Sequence, residues 1–272
     1  MNTINLITGQ GYKIISFPDG EKHLKINQID LKQPVHIICR ITNSDELFIL
    51  MQLSDILNRL EVSVDKIDIT YLMSMRCDRL FSMEEPFTLK LVANVINSFN
   101  AKAVYITEPH SSRSLDLINN SVAINPMDVL IKQMAKAHTI CYPDKGAADR
   151  YNFDCDSIIY CKKVRDVETG KLTKFGIDYA VSDHTPTDIV VVDDLCDGGG
   201  TFLGIANVLK EAYPDAKLNL IITHAVQEQG LEKISKVYNS VFTTDSYRDW
   251  GSWENLPENV VVTTAQNLSQ KQ

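Results

Sequence analysis

A chain of 272 residues with 44% hydrophobic and 23% charged side chains has the make-up of an ordinary globular protein of one large or two medium α/β domains, which excludes a disordered, collagen-like or coiled-coil chain. Its 27 Lys and Arg against 35 Asp and Glu give a net charge of -8. That balance argues against generic nucleic-acid binding, which needs a basic face, but leaves small phosphates within reach of backbone amides, a few local cations and metal ions.

The predicted elements alternate along the chain. VHIICRI (35–41) reads as a strand and DELFILMQLSDILNRL (45–60) as a helix, with Leu50, Leu53, Leu57 and Leu60 on one face. KIDITYLM (66–73) is a strand, PFTLKLVANVINSFN (86–100) a helix opened by proline, AVYITEP (103–109) a strand and PMDVLIKQMAKA (126–137) a helix. The pattern then starts again. HTICYP (138–143), SIIYCKKV (157–164), DIVVVDDL (188–195), LNLIITHA (218–225) and SVFTTD (240–245) read as strands, with helices at KGAADRYNF, TFLGIANVLKEAY and GLEKISKVY between them. Apolar strands spaced by helices predict parallel sheets covered on both faces. The expected architecture is therefore α/β, two doubly wound parallel-sheet domains, 1–137 and 138–272, with the last residues free to pack back on the first. Residues 165–187 break the rhythm. They read as a flap, with Thr169-Gly170 as the turn of a small hairpin.

The six cysteines form no Cys-x-x-Cys pair and several lie in apolar runs, so buried free thiols are expected. No apolar stretch approaches the ~20 residues of a membrane span. The opening segment MNTINLITGQGYKIIS lacks a basic stretch followed by an apolar one, so no signal peptide is expected and the protein reads as cytoplasmic and reduced.

The densest chemistry lies in DIVVVDDLCDGGGTFLGIANVLK (188–210). An apolar strand ends in Asp193-Asp194, and Asp197-Gly198-Gly199-Gly200-Thr201 then leads into a helix. Adjacent carboxylates suit the two hydroxyls of a ribose, and successive glycine amides at a helix start suit a phosphate. Thr201 caps the helix or bonds a phosphate oxygen. In open parallel sheets ligands sit beyond the carboxyl ends of strands, where these residues fall.

This segment resembles the phosphoribosyl-pyrophosphate motif of type I phosphoribosyltransferase folds and, more specifically, that of the ribose-phosphate pyrophosphokinases. Six further segments resemble the same family in the same order: FPDGEKHLKI (17–26), YLMSMRCDRLFSMEEPFTLKLVANVIN (71–97), ITEPHSSRS (106–114), YPDKGAADRY (142–151), KKVRD (162–166) and THAVQEQGLEKI (223–234). The resemblance implies transfer of the β,γ-diphosphate of Mg-ATP to the anomeric hydroxyl of a ribose 5-phosphate moiety, with release of AMP. It implies catalytic roles for Lys163, Arg165 and His110. Asp193, Asp194, Asp197, Gly198, Gly199, Gly200 and Thr201 would bind ribose phosphate, and Phe17, Asp19, Glu21, Arg76, Asp78 and Arg79 would bind ATP. His110 would be a ligand of the Mg²⁺ that bridges the ATP phosphates, and Asp144 the carboxylate for a second metal or the ribose. Because the segment holding Phe17, Asp19 and Glu21 serves a neighbouring subunit's site in the family, at least a dimer is implied. Lys162 competes with Lys163 for the catalytic role, and on its own Asp144 reads equally well as a helix N-cap.

The chain also departs from the family. Its loop has three glycines where Asp-Thr-Ala-Gly-Thr is common. A barer loop admits a ribose 5-phosphate whose phosphate is extended, as in ADP-ribose, with Gly199 expected to open the exit path. The product would then be ADP-ribose 1-pyrophosphate, a precursor for NAD synthesis. Two readings from other classes are a phosphoribosyltransferase and a catalytically silent regulatory homologue.

Overall fold

The structure is a computed structural model that describes residues 1–80, 82–133, 139–151, 153, 155–165, 172–182 and 184–267; the side chains of 132–133, 163–165, 172–174 and 267 lie outside that description. The chain divides into two compact units, residues 1–125 with 265–272, and residues 126–264. The junction expected at 137/138 falls outside the described residues, and the division itself comes at 125/126.

The first unit runs β1 (Asn2–Asn5), β2 (Tyr12–Ser16), β3 (Lys22–Ile26), β4 (Val35–Cys39), α1 (Ser44–Arg59), β5 (Val64–Ile69), α2 (Thr88–Asn97), β6 (Ala103–Thr107), α3 (Arg113–Leu117) and β7 (Ser121–Ile124). Its main sheet has the order β1-β4-β5-β6-β7, all parallel, advancing in one direction without reversal. α1 starts where Asn43 accepts a hydrogen bond from the Glu46 amide, while Glu46 reaches back to the amide of Thr42 at 2.6 Å. It buries Leu50, Leu53 and Leu57, whereas Leu60 falls just past its end and is exposed. β2 and β3 form a separate hairpin. The carboxamide of Gln52 on α1 braces it by accepting from the Leu24 amide at 2.7 Å and donating to the Lys22 carbonyl at 2.8 Å.

The second unit runs α4 (Met127–Gln133), β8 (Thr139–Tyr142), α5 (Lys145–Arg150), β9 (Ile158–Arg165), β10 (Leu172–Val181), β11 (Asp188–Cys196), α6 (Gly200–Ala212), β12 (Lys217–Ala225), α7 (Glu228–Ser235), β13 (Ser240–Thr244) and β14 (Val260–Thr263). Its seven-stranded sheet has the order β10-β9-β8-β11-β12-β13-β14, and β10 is antiparallel to β9. Apolar side chains alternate onto both faces. Val191, Leu218 and Leu220 pack under Phe202, Ile205 and Leu231, while Ile140, Val190 and Ile221 pack with Met127, Leu130 and Tyr151. α4 thus belongs to this core. Within the stretch read as a flap, 172–181 is the outer arm of a hairpin with β9, and the expected Thr169-Gly170 turn lies outside the described residues.

From β8 the chain steps outward to β9 and β10, then returns past β8 to β11 and steps the other way. The reversal lies between β8 and β11, the place where an open α/β sheet leaves a crevice at its carboxyl edge. Cys39, Cys141, Cys161 and Cys196 are buried free thiols, as expected, while Cys77 is exposed. Among the described residues, no helix is long and apolar enough to cross a membrane.

Candidate active site

The two strands that flank the reversal deliver the acidic residues. β8 ends at Tyr142 and is followed by Pro143-Asp144, and the Asp144 side chain accepts a hydrogen bond from the Ala147 amide at 3.1 Å, capping α5. α5 ends in Arg150, whose guanidinium returns to β11. Its Nη1 lies 3.3 Å from Asp193 Oδ1 and 2.9 Å from Asp194 Oδ1. Neither carboxylate is more than slightly exposed, so three charges share a small, largely dry space. Burial, then the charge of Asp194 and after it Asp144, push the Asp193 carboxyl well above the usual carboxylate range, with Arg150 opposing. For Arg150, burial works against the charge, yet Asp194 and Asp193 outweigh it and fix the guanidinium as a cation.

Beyond Asp194 the strand runs into the loop. Gly199 is the N-cap of α6 and has φ 80°, the left-handed region that favours glycine. Gly199 is not an exit path. A Cβ there would lie 3.0 Å from Ile234 Cγ2 and 3.2 Å from the Gly230 carbonyl oxygen, so its missing side chain faces α7. Gly200 has open space where a side chain would begin, and Gly198 meets only Gln227 Oε1 at 4.0 Å. Thr201 lies in the first turn of α6, half-buried. Asp197 accepts a hydrogen bond from Gln227 Nε2 at 3.1 Å. Burial pushes the Cys196 thiol up to about 12, so it stays protonated beside the loop and is no nucleophile at neutral pH.

The backbones of Lys163 and Arg165 lie in β9, opposite Phe175 and Leu172 of β10; their side chains fall outside the described residues. Lys162, one residue before, is paired with Asp178 across the hairpin at 2.5 Å.

A second group forms in the first unit. Arg79 Nε lies 3.1 Å from Asp78 Oδ1. Burial works to raise the Asp78 pKa, but the Ser111 hydroxyl, Arg79 and His110 outweigh it and hold the carboxyl below its ordinary value. His110, half-buried, follows β6 after Glu108, which is buried at φ 43°. Asp78 and Arg79 open onto a cavity of about 690 Å³ that also takes Lys90 and Arg113, so cations predominate around it. Arg76 is exposed on the turn after β5. Phe17, Asp19 and Glu21 form the exposed tip of the β2–β3 hairpin, closed by Asp19 accepting from the Glu21 amide at 3.1 Å.

Sequence reasoning missed Arg150, Gln227 and the two cations of the cavity, Lys90 and Arg113. A lone arginine at a helix end and a glutamine in a turn carry no spacing signal. His224, within the matched THAVQEQG segment, is fully buried and bonded to Ser246 at 2.7 Å, a framework role.

No family model matches the chain. A ribose-phosphate pyrophosphokinase of Pyrococcus abyssi is 25% identical over 240 residues, covering 86% of this chain and 83% of that protein. One from Sulfolobus acidocaldarius is 26% identical over 218 residues, covering 76% and 73%. One from Mycoplasmopsis pulmonis is 23% identical over 266 residues, covering 93% and 82%. The chain is related to the ribose-phosphate pyrophosphokinases over most of its length. The crystal structure of phosphoribosylpyrophosphate synthetase from Mycobacterium smegmatis matches the fold with a TM-score of 0.76 at 16% identity, covering 96% of this chain and 88% of that one.

Proposed function

We propose that the protein moves the β,γ-diphosphate of ATP to the anomeric C1 hydroxyl of a ribose 5-phosphate moiety and releases AMP. The observation that carries this reading is the Asp193–Asp194 pair, held by Arg150 at the reversal of a parallel sheet and followed at once by a glycine loop and a helix start. Two fixed carboxylates accept the hydrogen bonds of a vicinal diol. The loop amides and the positive end of α6, a helix of 13 residues, receive the 5′-phosphate. The C1 oxygen then attacks the β-phosphorus, the bridge to the α-phosphate breaks, AMP departs with the bridging electrons and the hydroxyl proton leaves to solvent. Such a transfer rests on alignment and charge neutralisation rather than on a covalent intermediate.

Lys163 and Arg165 would supply that neutralisation. The pairing of Lys162 with Asp178 supports Lys163 over its neighbour. The cationic cavity lined by Asp78, Arg79, Lys90 and Arg113 supports an ATP site on the first unit. Among the described residues no three His, Cys, Asp or Glu side chains gather as a metal cage. A Mg²⁺ carried mainly by ATP phosphates needs only one or two protein ligands; on the first unit His110 would hold it and it would screen the phosphate charge, while on the second unit Asp144 would hold a second metal or the ribose. The exposed hairpin tip supports assembly at least as a dimer, with Phe17, Asp19 and Glu21 completing a neighbour's ATP site. A cytoplasmic setting goes with these substrates.

The acceptor is ribose 5-phosphate on the precedent of the relatives' names. ADP-ribose, yielding a precursor for NAD synthesis, is the second reading. It is favoured by the open space beside Gly198 and Gly200, which leaves the loop rim bare. The test supplies Mg-ATP with each acceptor separately and weighs the products. AMP and a pyrophosphorylated sugar are expected, whereas ADP, or no nucleotide turnover, defeats the reading and returns the phosphoribosyltransferase and silent-homologue alternatives. In the same assay Lys163→Ala and Arg165→Ala should each lower kcat about 100-fold or more while changing KM little.

A further inference from the structure

The back wall of the glycine loop is α7. The Val226 amide donates to the Cys196 carbonyl at 2.9 Å, just ahead of the loop. Gly230 faces the loop so closely that a Cβ on it would overlap the Asp197 carbonyl oxygen, and Gly199 faces Ile234 in return. Gln227 stands at the N-cap of α7 with extended backbone, φ -107° and ψ 138°, but its side chain does not cap that helix. It reaches instead to Asp197, with Nε2 3.1 Å from Oδ1. An ionised carboxylate only accepts, so the amide nitrogen must face it, which turns Oε1 the other way, toward Gly198.

We propose that Gln227 is a positioning residue: it holds the Asp197 carboxylate aside from the glycine loop and so sets the affinity for the acceptor's phosphate. The inference rests on the acceptor site proposed above. Asp197 opens the loop whose amides would receive a phosphate dianion, and its own negative charge beside that dianion opposes binding. The tether from Gln227 fixes that charge in one place and shares its field with an N–H donor. Nothing in this requires Gln227 to touch the diphosphate being transferred.

The experiment is a double-mutant cycle on the full chain, read by calorimetric titration with ribose 5-phosphate and with ADP-ribose in the absence of ATP. Gln227→Ala should weaken the better-bound acceptor about tenfold, the scale of a hydrogen bond to a charged group. Gln227→Glu, which sets a second carboxylate against Asp197, should weaken it further. In an Asp197→Asn background, where there is no charge to hold aside, Gln227→Ala should change affinity less than about twofold. With Mg-ATP present, Gln227→Ala and Gln227→Glu should raise acceptor KM more than they lower kcat. An affinity unchanged in Gln227→Ala and Gln227→Glu overturns the proposal. So does an equal loss in both backgrounds, which would mark a general structural effect. Wild-type protein that binds an acceptor yet releases no AMP would defeat the reaction proposed above and leave this pairing standing; wild-type protein that binds neither acceptor defeats both.

Discussion

Arg150 shows how one side chain can hold a pair of buried acids together. Two buried carboxylates side by side repel, and the guanidinium 2.9–3.3 Å away offsets that repulsion. Replacing it with methionine leaves both charges uncompensated, and the urea unfolding free energy should fall by about 3–5 kcal/mol; Arg150→Lys, which keeps the charge but not the fork, should lose less. Asp193 gives the opposite sign. Its folded-state pKa lies above the ordinary value of 3.8, so the folded form binds the proton more readily. The stability it contributes is present at low pH and is lost as pH rises from about 4 through the folded value. Asp193→Asn should abolish acceptor binding and yet be more stable than wild type at neutral pH by about 1 kcal/mol, with a flatter pH–stability curve above pH 4. A denaturation series at several pH values checks both halves. The acid pair was legible in the sequence because an apolar strand stopped on it. Arg150 was not, since its partners arrive from 43 and 44 positions away and only folding brings them together.

Elements with strong periodicity were readable for a similar reason. α1 announced itself through Leu50, Leu53 and Leu57, and β11 through an unbroken valine run. β10 did not, because a hairpin edge strand need satisfy only one neighbour and tolerates Lys174, Gly176 and Asp178 in its middle. The glycines of the loop and of the helix behind it carry no distinguishing mark in the sequence but differ in space. Gly230→Ala would press a methyl into the Asp197 carbonyl and should cost about 1–3 kcal/mol with a large loss of acceptor affinity. Gly199→Ala combines a left-handed backbone with contact on Ile234 and should be comparably damaging. Gly200→Ala meets nothing and should be neutral or slightly stabilising. Thermal melts and acceptor titrations of the three alanine variants check this order.

At the scale of the whole molecule, the two sheets differ in a way that composition hides. The second reverses direction between β8 and β11 and gathers its acids there; the first advances in one direction and places its charged residues on turns after β5 and β6. The residues proposed for ATP lie on the first unit and those proposed for the ribose phosphate on the second, and in the proposed function the exposed Phe17 tip serves another copy. If sites are shared between subunits, Phe17→Ala and Lys163→Ala proteins, each nearly inactive, should regain part of the activity when mixed and allowed to exchange subunits, because some sites then combine an intact tip with an intact lysine. Mixing without recovery would place tip and lysine in one subunit's site.

The close approach of Gly230 to the loop also bears on how such a chain can diverge. A mutation that adds a side chain at 230 is barred until the loop backbone has moved, and a loop that has moved loses its fit to Ile234. Positions 199 and 230 should therefore change together or not at all among descendants of this sequence. Positions 198 and 200, open to solvent or to Gln227, can drift singly. Natural variation in acceptor choice is thus confined to the loop's outer rim, and any lineage that changes its substrate would be expected to do so there first.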